Sequence, residues 1–456
     1  MSCKDTWTAG TTTEREIKVP LEKLTDRLKH VTFPPEEEIV SGAYWPRNPG
    51  VNAHKASVDE TIAFYMQSCE KHGAEPISTL VQQLQEISDA QRRVQCLNLK
   101  GVKLDAMVCE TLEEILKQFQ YEFIHLEEAE LEEEGAAALF DMFTYYDSAF
   151  QLDISSNKNI GRRGWHALSN LIKQNTSLEL LKASQIPLVE NAALSMARAL
   201  QFSKLIILYL ENTGLSGRPL MLLVSALKIN RKLKKLYLGD NDLNDLQDSM
   251  FLGELLQFNH TLELLDVKHN RISDDGMEDI CKGLQQQQTA GLRSIVLWHN
   301  HITAKSMQHL ATALIYARCL KSLNLGRNAI QNEGIHRLKE ALICNRSLQN
   351  LGLVATKITC EGAVALAEFI VESPCIQHVD LRKNAIKTGG LMALSLALKI
   401  SNSVIKLELD KKAVNEKEED YFIDTQKALL LEIRNHSKQK SSVKRKVQRS
   451  QSSSLS

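Results

Sequence analysis

Proline is scarce in this chain, nine in 456 residues, and Pro34, Pro35, Pro46 and Pro49 crowd near its start. The rest is therefore free to form uninterrupted regular elements. Charge of either sign is not in excess: 55 basic and 56 acidic residues leave a formal charge of −1, which argues against a nucleic-acid protein with a basic face. No apolar run approaches the length of a membrane-spanning helix, and no apolar signal core follows the first residues, so neither secretion nor a spanning segment is expected. The nine cysteines are odd in number and scattered, with no close pairs, which suits reduced thiols in cytoplasm or nucleus and excludes a disulfide scaffold. A phosphate-cradling glycine loop, HExxH and GxSxG are all missing, so the reading is a non-enzymatic protein without cofactor or metal.

What the chain has in abundance is one pattern, L-x-x-L-x-L-x-x-N-x-L. Leu233, Leu236, Leu238, Asn241 and Leu243 make one copy; Leu320, Leu323, Leu325, Asn328 and Ile330 make another. The Asn position recurs at Val102, Ala129, Asn157, Ile186, Thr213, Asn241, Asn270, Asn300, Asn328, Thr356 and Asn384. Eleven in-phase copies spaced near 28 residues mean a leucine-rich-repeat solenoid. A twelfth strand, Val404 to Leu409, follows without a clear Asn position. In each copy the leucines flanking the strand centre point inward and the residue between them outward. The Asn side chain closes the strand by satisfying backbone groups of the adjoining turn. Where Thr, Ile, Ala or Val replaces it, the expected ladder weakens without breaking. The second half of the repeat carries a helical stripe, as at Met277, Ile280, Cys281 and Leu284. A full helix per repeat predicts an α/β horseshoe of about 11–12 repeats with ribonuclease-inhibitor-like curvature.

Both ends of a solenoid need caps, because the terminal repeats otherwise expose apolar edge. Residues 57–90 read as a helical N-terminal cap, opened by the capping box Ser57-Val-Asp-Glu60 and continued by a helix from Pro76 to Ile87. Repeats fill residues 91–410, and residues 411–436 read as a C-terminal capping helix. Residues 1–56 form a polar, proline-rich disordered arm, and 437–456 a basic, Ser-rich disordered tail.

Three polar features have both a plain and a functional reading. His269, His299 and His301 flank ladder positions on the solvent side; a metal site is the alternative. The acidic run Glu127 to Glu134 is a solvated edge or a patch for a basic partner. Lys444-Arg-Lys446 is a solubilising tail or a nuclear-import signal.

The arm holds one motif of another kind. Lys29-His-Val31-Thr-Phe33 matches the docking pattern basic-x-Val-x-Phe. In an extended chain Val31 and Phe33 fall on one side and can fill two apolar pockets while the backbone adds an edge strand to a partner. Thr32, facing the other way, is a candidate regulatory phosphosite, with Arg27 and Lys29 upstream. The alternative for the motif is a hydrophobic contact against the N-terminal cap.

Ungapped blocks accompany it: His30-Val-Thr-Phe-Pro-Pro-Glu-Glu-Glu-Ile-Val-Ser-Gly42, Leu97-Asn-Leu-Lys-Gly101, Leu215-Ser-Gly-Arg-Pro-Leu-Met221 and the stretch Lys387 to Leu398. With these the chain resembles the leucine-rich-repeat regulatory subunit 37 family of protein phosphatase 1, from about residue 28 to 435. The resemblance implies a regulator that binds the phosphatase catalytic subunit and inhibits or redirects it. The family's docking element maps onto Lys29, Val31 and Phe33, with Lys29 supplying the cation that often directly precedes the valine. Two other classes stay open: a Ran-type GTPase-activating protein, which shares the repeat class, and a generic scaffold read by its concave face. On that face Tyr209, Tyr237 and Trp298 project outward and are candidate partner contacts; stacking on one another or on a neighbouring stem is the alternative. No contact with nucleic acid or membrane is expected.

Overall fold

The structure, a computed structural model, describes residues 56–88, 93–175, 177–244, 246–287, 290–412 and 420–453. Twelve strands follow the repeat: β1 (Arg93–Asn98), β2 (Gln120–His125), β3 (Ala149–Asp153), β4 (Leu180–Lys182), β5 (Ile207–Tyr209), β6 (Lys235–Tyr237), β7 (Leu264–Asp266), β8 (Ser294–Val296), β9 (Ser322–Asn324), β10 (Asn350–Gly352), β11 (His378–Asp380) and β12 (Lys406–Glu408). They form one parallel sheet in strict sequence order. The register keeps one residue of each strand opposite its equivalent. Leu236 thus faces Leu208 and Leu265, and all three are fully buried.

A second layer of helices covers that buried face. It comprises α1 (Val58–His72), α2 (Ser78–Gln85), α3 (Ala106–Thr111), α4 (Glu113–Leu116), α5 (Glu133–Tyr146), α6 (Gly161–Gln174), α7 (Glu190–Leu200), α8 (Arg218–Leu227), α9 (Leu246–Phe258), α10 (Asp274–Gln285), α11 (Met307–Tyr316), α12 (Gln331–Cys344), α13 (Cys360–Glu372), α14 (Thr388–Ile400) and α15 (Asp420–Ser453). On α10 the sequence stripe Met277, Ile280, Cys281 and Leu284 is buried. Helix and strand leucines meet in one continuous apolar core, which is what a solenoid of parallel strands requires. Among the described residues, no helix is long and apolar enough to cross a membrane.

The Asn ladder has a repeating geometry. The amides of Asn270, Asn300, Asn328 and Asn384 donate to the carbonyls of Leu238, Val267, Leu297 and Leu353, one repeat back, at 2.7–3.0 Å. Their oxygens accept backbone N–H groups from the same preceding turn, as Asn328 does from Asn300 and Ile302. Thr213 and Thr356 keep part of this: each hydroxyl donates to its own strand-end carbonyl, Leu210 or Leu353. Where the next position lacks the amide the backbone closes directly, Leu104 N–H onto Ala129 at 3.0 Å and Leu188 N–H onto Thr213 at 2.9 Å.

A second ladder, which the sequence pattern does not announce, runs along the helix-to-strand turns. Asn230, Asn259 and Asn345 donate to carbonyls in the last helical turn of the preceding repeat, Leu200, Leu227 and Leu314.

At the N-terminal end Ser57 and Glu60 form the reciprocal capping box, and Gly73 ends α1 with φ +63°. At the other end α15 runs to Ser453, through residues that the sequence reading assigns to a disordered tail. Two causes are visible. Residues 437–453 contain neither glycine nor proline to stop a helix. The helix is also tied down beyond residue 436: Ser437 accepts the Leu407 N–H at 3.3 Å, and Lys440 donates to Leu398 and Ser401.

Candidate functional site

The helix layer buries one face of the sheet, so the other face carries the side chains free to meet a partner. Strand alternation puts Lys182, Tyr209, Tyr237 and Asp266 side by side on it, in register across β4 to β7. Tyr209 and Tyr237 stack, ring centroids 4.0 Å apart and planes within 6°. Burial raises the Tyr237 hydroxyl above its ordinary pKa, and the hydrogen bond with Tyr209 adds to this. Lys182 Nζ lies 5.9 Å from the Tyr209 ring and 5.7 Å from that of Phe123. Trp298 is half-buried and lies across the next strand's continuation. A Cβ on Gly326 would sit 2.2 Å from its Cε3, so the missing side chain at Gly326 is what lets the indole lie flat. The Arg327 guanidinium is 5.8 Å from the same ring. All three aromatics lie on the exposed face, and each is held in place by a neighbour on it.

Charge on this face is arranged in local networks. Near β2 and β3, Glu127 accepts from Lys100 at 2.5 Å and lies 3.1 Å from His125 Nε2. Those partners, Lys100 first, hold its carboxyl below the usual range. Asp153 reaches His125 at 3.9 Å and Lys182 at 3.3 Å. The ligand atoms of His125, Glu127 and Asp153 lie within 4.8 Å of one another, a set that can hold a divalent ion. Lys100 and Lys182 already neutralise both carboxylates, so an ion would have to displace two ammonium groups. In the middle of the sheet Lys268 meets Glu211 at 2.6 Å, and burial raises the Asp266 carboxyl. Near the last strands Arg382 binds Asp380 through two nitrogens at 2.9 and 2.5 Å and reaches Glu408 at 3.1 Å. Half-exposed pairs of this kind contribute little stability, roughly 0–1 kcal/mol. Their effect is to fix the side chains into a patterned surface.

The three ladder-flanking histidines sit on the strand-end edge. His269, His299 and His301 are exposed, each with φ between 53° and 58°, and their rings stand edge to face, 5.1 and 6.1 Å between centroids. His269 Nδ1 is 3.4 Å from Asp240. The acidic run is partly engaged within the fold: Glu133 accepts the Arg163 backbone N–H at 2.6 Å, and Glu134 pairs with the Arg163 guanidinium. Lys29, Val31, Thr32 and Phe33, the docking segment, lie outside the described residues.

Comparison with known proteins agrees with the repeats. A family model described as "Leucine Rich repeat" matches residues 258–281, 316–338 and 372–395. The Bos taurus protein named Protein phosphatase 1 regulatory subunit 37 is 49% identical over 300 residues, 66% of this chain and 43% of that protein. Its Caenorhabditis elegans homologue is 34% identical over 297 residues, 62% of this chain and 31% of that protein. The Mus musculus protein named Ribonuclease inhibitor is 26% identical over 268 residues, covering 52% of this chain and 58% of that protein. The matched stretch thus spans less than half the length of the regulatory-subunit relatives.

Proposed function

Because this chain is a leucine-rich-repeat homologue of the proteins named Protein phosphatase 1 regulatory subunit 37, we propose that it is a non-enzymatic regulatory subunit of that phosphatase. Lys29, Val31 and Phe33 dock the catalytic subunit, and the bound regulator lowers or redirects its activity. The observation that carries this reading is the 49% identity over 300 residues to a protein of that name. The arrangement of the sheet supports it: a rigid array with patterned charge and anchored aromatics suits holding a partner. The division of labour follows from the physics. A short extended segment supplies affinity through two apolar anchors, worth roughly 1.5–3 kcal/mol each when buried. A rigid sheet supplies selectivity at Tyr209, Tyr237 and Trp298.

The test is a titration of the catalytic subunit with the full chain, following dephosphorylation of one peptide and one protein substrate. Inhibition of either, or a change in their ratio, agrees with a regulator. Unchanged turnover of both at saturating regulator contradicts it.

A further inference from the structure

The helix layer holds a cleft of about 570 Å3 where α5, α6 and α7 meet. Arg162, His166 and Asn170 follow one another at four-residue spacing along one side of α6. Asn191, Ser195 and Arg198, spaced by four and then three residues, do so along α7. The two rows line the same cleft, and the small side chains of Ala137, Ala167 and Ala192 leave its space open. Among the described residues, no carboxylate lies within ion-pair distance of Arg162, His166 or Arg198. Arg163 differs, being taken up by Glu134. Asp141 is the one acidic residue lining the cleft; burial raises its carboxyl, and His166 pulls the other way. A comparable basic pair, Lys305 and His309, recurs after Asn300, so the basic pair alone does not set this cleft apart; the second row, ending in Arg198, does. The positions equivalent to Arg162 and His166 carry Leu246 and Met250 on α9, and Asp275 and Asp279 on α10.

We propose that this cleft binds a phosphate monoester presented on a protein, a phosphoserine or phosphothreonine side chain. Two guanidinium groups offer forked donors that match a phosphate dianion. The imidazole and two carboxamides supply further donors around it, while the Ser195 hydroxyl donates to the Asn191 carbonyl at 3.2 Å. The cleft is open, and Leu194 with the alanines gives a flanking residue an apolar surface. Commitment to a peptide, over free phosphate or a lipid headgroup, rests on the regulatory-subunit reading: a phosphatase regulator that grips phosphoproteins delivers substrate to its partner.

The experiment uses the full chain without any phosphatase, so it fails or succeeds independently of the docking motif. Anisotropy is measured with a labelled degenerate peptide library bearing a fixed phosphoserine, and with the same library bearing serine. The wild type is compared with the Arg162→Gln/Arg198→Gln double variant and with Arg293→Gln, distant in sequence and paired to Glu263. Circular dichroism checks that each is folded. The expected result is binding of the phosphorylated library alone, weakened about tenfold or more by the double variant and unchanged by Arg293→Gln. Equal binding of both libraries, or a double variant that binds like wild type, overturns the proposal. So does binding of inorganic phosphate or of phosphoinositide vesicles without binding of the peptides.

Discussion

The Lys440 ammonium donates to the carbonyl oxygen of Ser401 at 2.6 Å and, alongside it, to that of Leu398 at 2.7 Å. In an interior repeat the Asn259 amide serves the equivalent carbonyls, Leu227 at 2.6 Å and Asn230 at 3.2 Å. Lys440 therefore stands in for the ladder side chain that a further repeat would bring. Lys440→Ala leaves two carbonyls without a donor and is expected to cost about 2–3 kcal/mol. Thermal unfolding should shift down, and hydrogen exchange should rise in α14 and α15 before it rises in α6. A variant that melts at the wild-type temperature contradicts the capping role.

The ladder makes a graded claim. Asn328→Ala removes donors to Leu297 and Leu325 and the acceptor used by Asn300 and Ile302, all buried. Leaving such groups unpaired costs about 2–4 kcal/mol in sum. Asn328→Thr should cost visibly less, because Thr213 and Thr356 already close two turns through their hydroxyls. Denaturant melts of the two variants check the order; a threonine variant as weak as the alanine one would show that the hydroxyl is no substitute.

The strand ladder was legible in one dimension because its residue is spaced by a whole repeat and flanked by leucines that only a parallel sheet explains. The helix-end ladder was not. Asn230, Asn259, Gln287 and Asn345 fill it, with Ala317 and Ser373 at two of its places, and so varied a column has no one-letter signature. The helix in the tail is not legible in the sequence, because Ser, Lys and Arg bury little and its anchoring hydrogen bonds go to a repeat end that no sequence window shows. Likewise the outward direction of Tyr209 and Tyr237 followed from alternation, but their 4.0 Å stack needed the register of two neighbouring strands. The cleft on α6 and α7 joins residues about thirty positions apart on two helices, each unremarked alone.

Gly326 is required by its neighbour. Gly326→Ala places a methyl 2.2 Å from the Trp298 ring, so the indole must leave the sheet. The expected cost is about 1–3 kcal/mol. The indole should also become more exposed, seen as a red shift in a variant lacking the other tryptophans. Unchanged Trp298 emission would show that the ring does not lie on that strand.

His378 gives the fold a dependence on pH. Burial is the main cause that lowers its pKa, with Glu408 at 3.5 Å pulling the other way. The native state thus resists protonation more than the unfolded chain. Stability from this group is complete above the unfolded value near pH 6.5 and falls as the pH drops through that value toward the lower folded one. His378→Gln should flatten that part of the profile, measured as denaturant midpoints from about pH 8 to about pH 5. A wild-type slope in the variant, or a folded pKa above the ordinary value by NMR, contradicts this.

A switch at Thr32 is a prediction of the proposed docking reading. Phosphate on it would add about −1.5 to −2 charge beside Lys29, whose cation implies an acidic partner rim. A peptide of residues 24–40 should bind the catalytic subunit more weakly when Thr32 is phosphorylated; equal or tighter binding ends the idea of a switch.

The central claim is that two side chains of the arm hold the phosphatase. Isothermal titration of the catalytic subunit with the full chain and with the Val31→Ala/Phe33→Ala variant measures it directly. The account predicts a loss of about 3 kcal/mol or more, roughly a hundredfold in Kd, with the melting temperature of the repeats unchanged. An unchanged Kd would contradict the docking assignment; a lowered melting temperature would instead place Val31 and Phe33 in the packing of the fold.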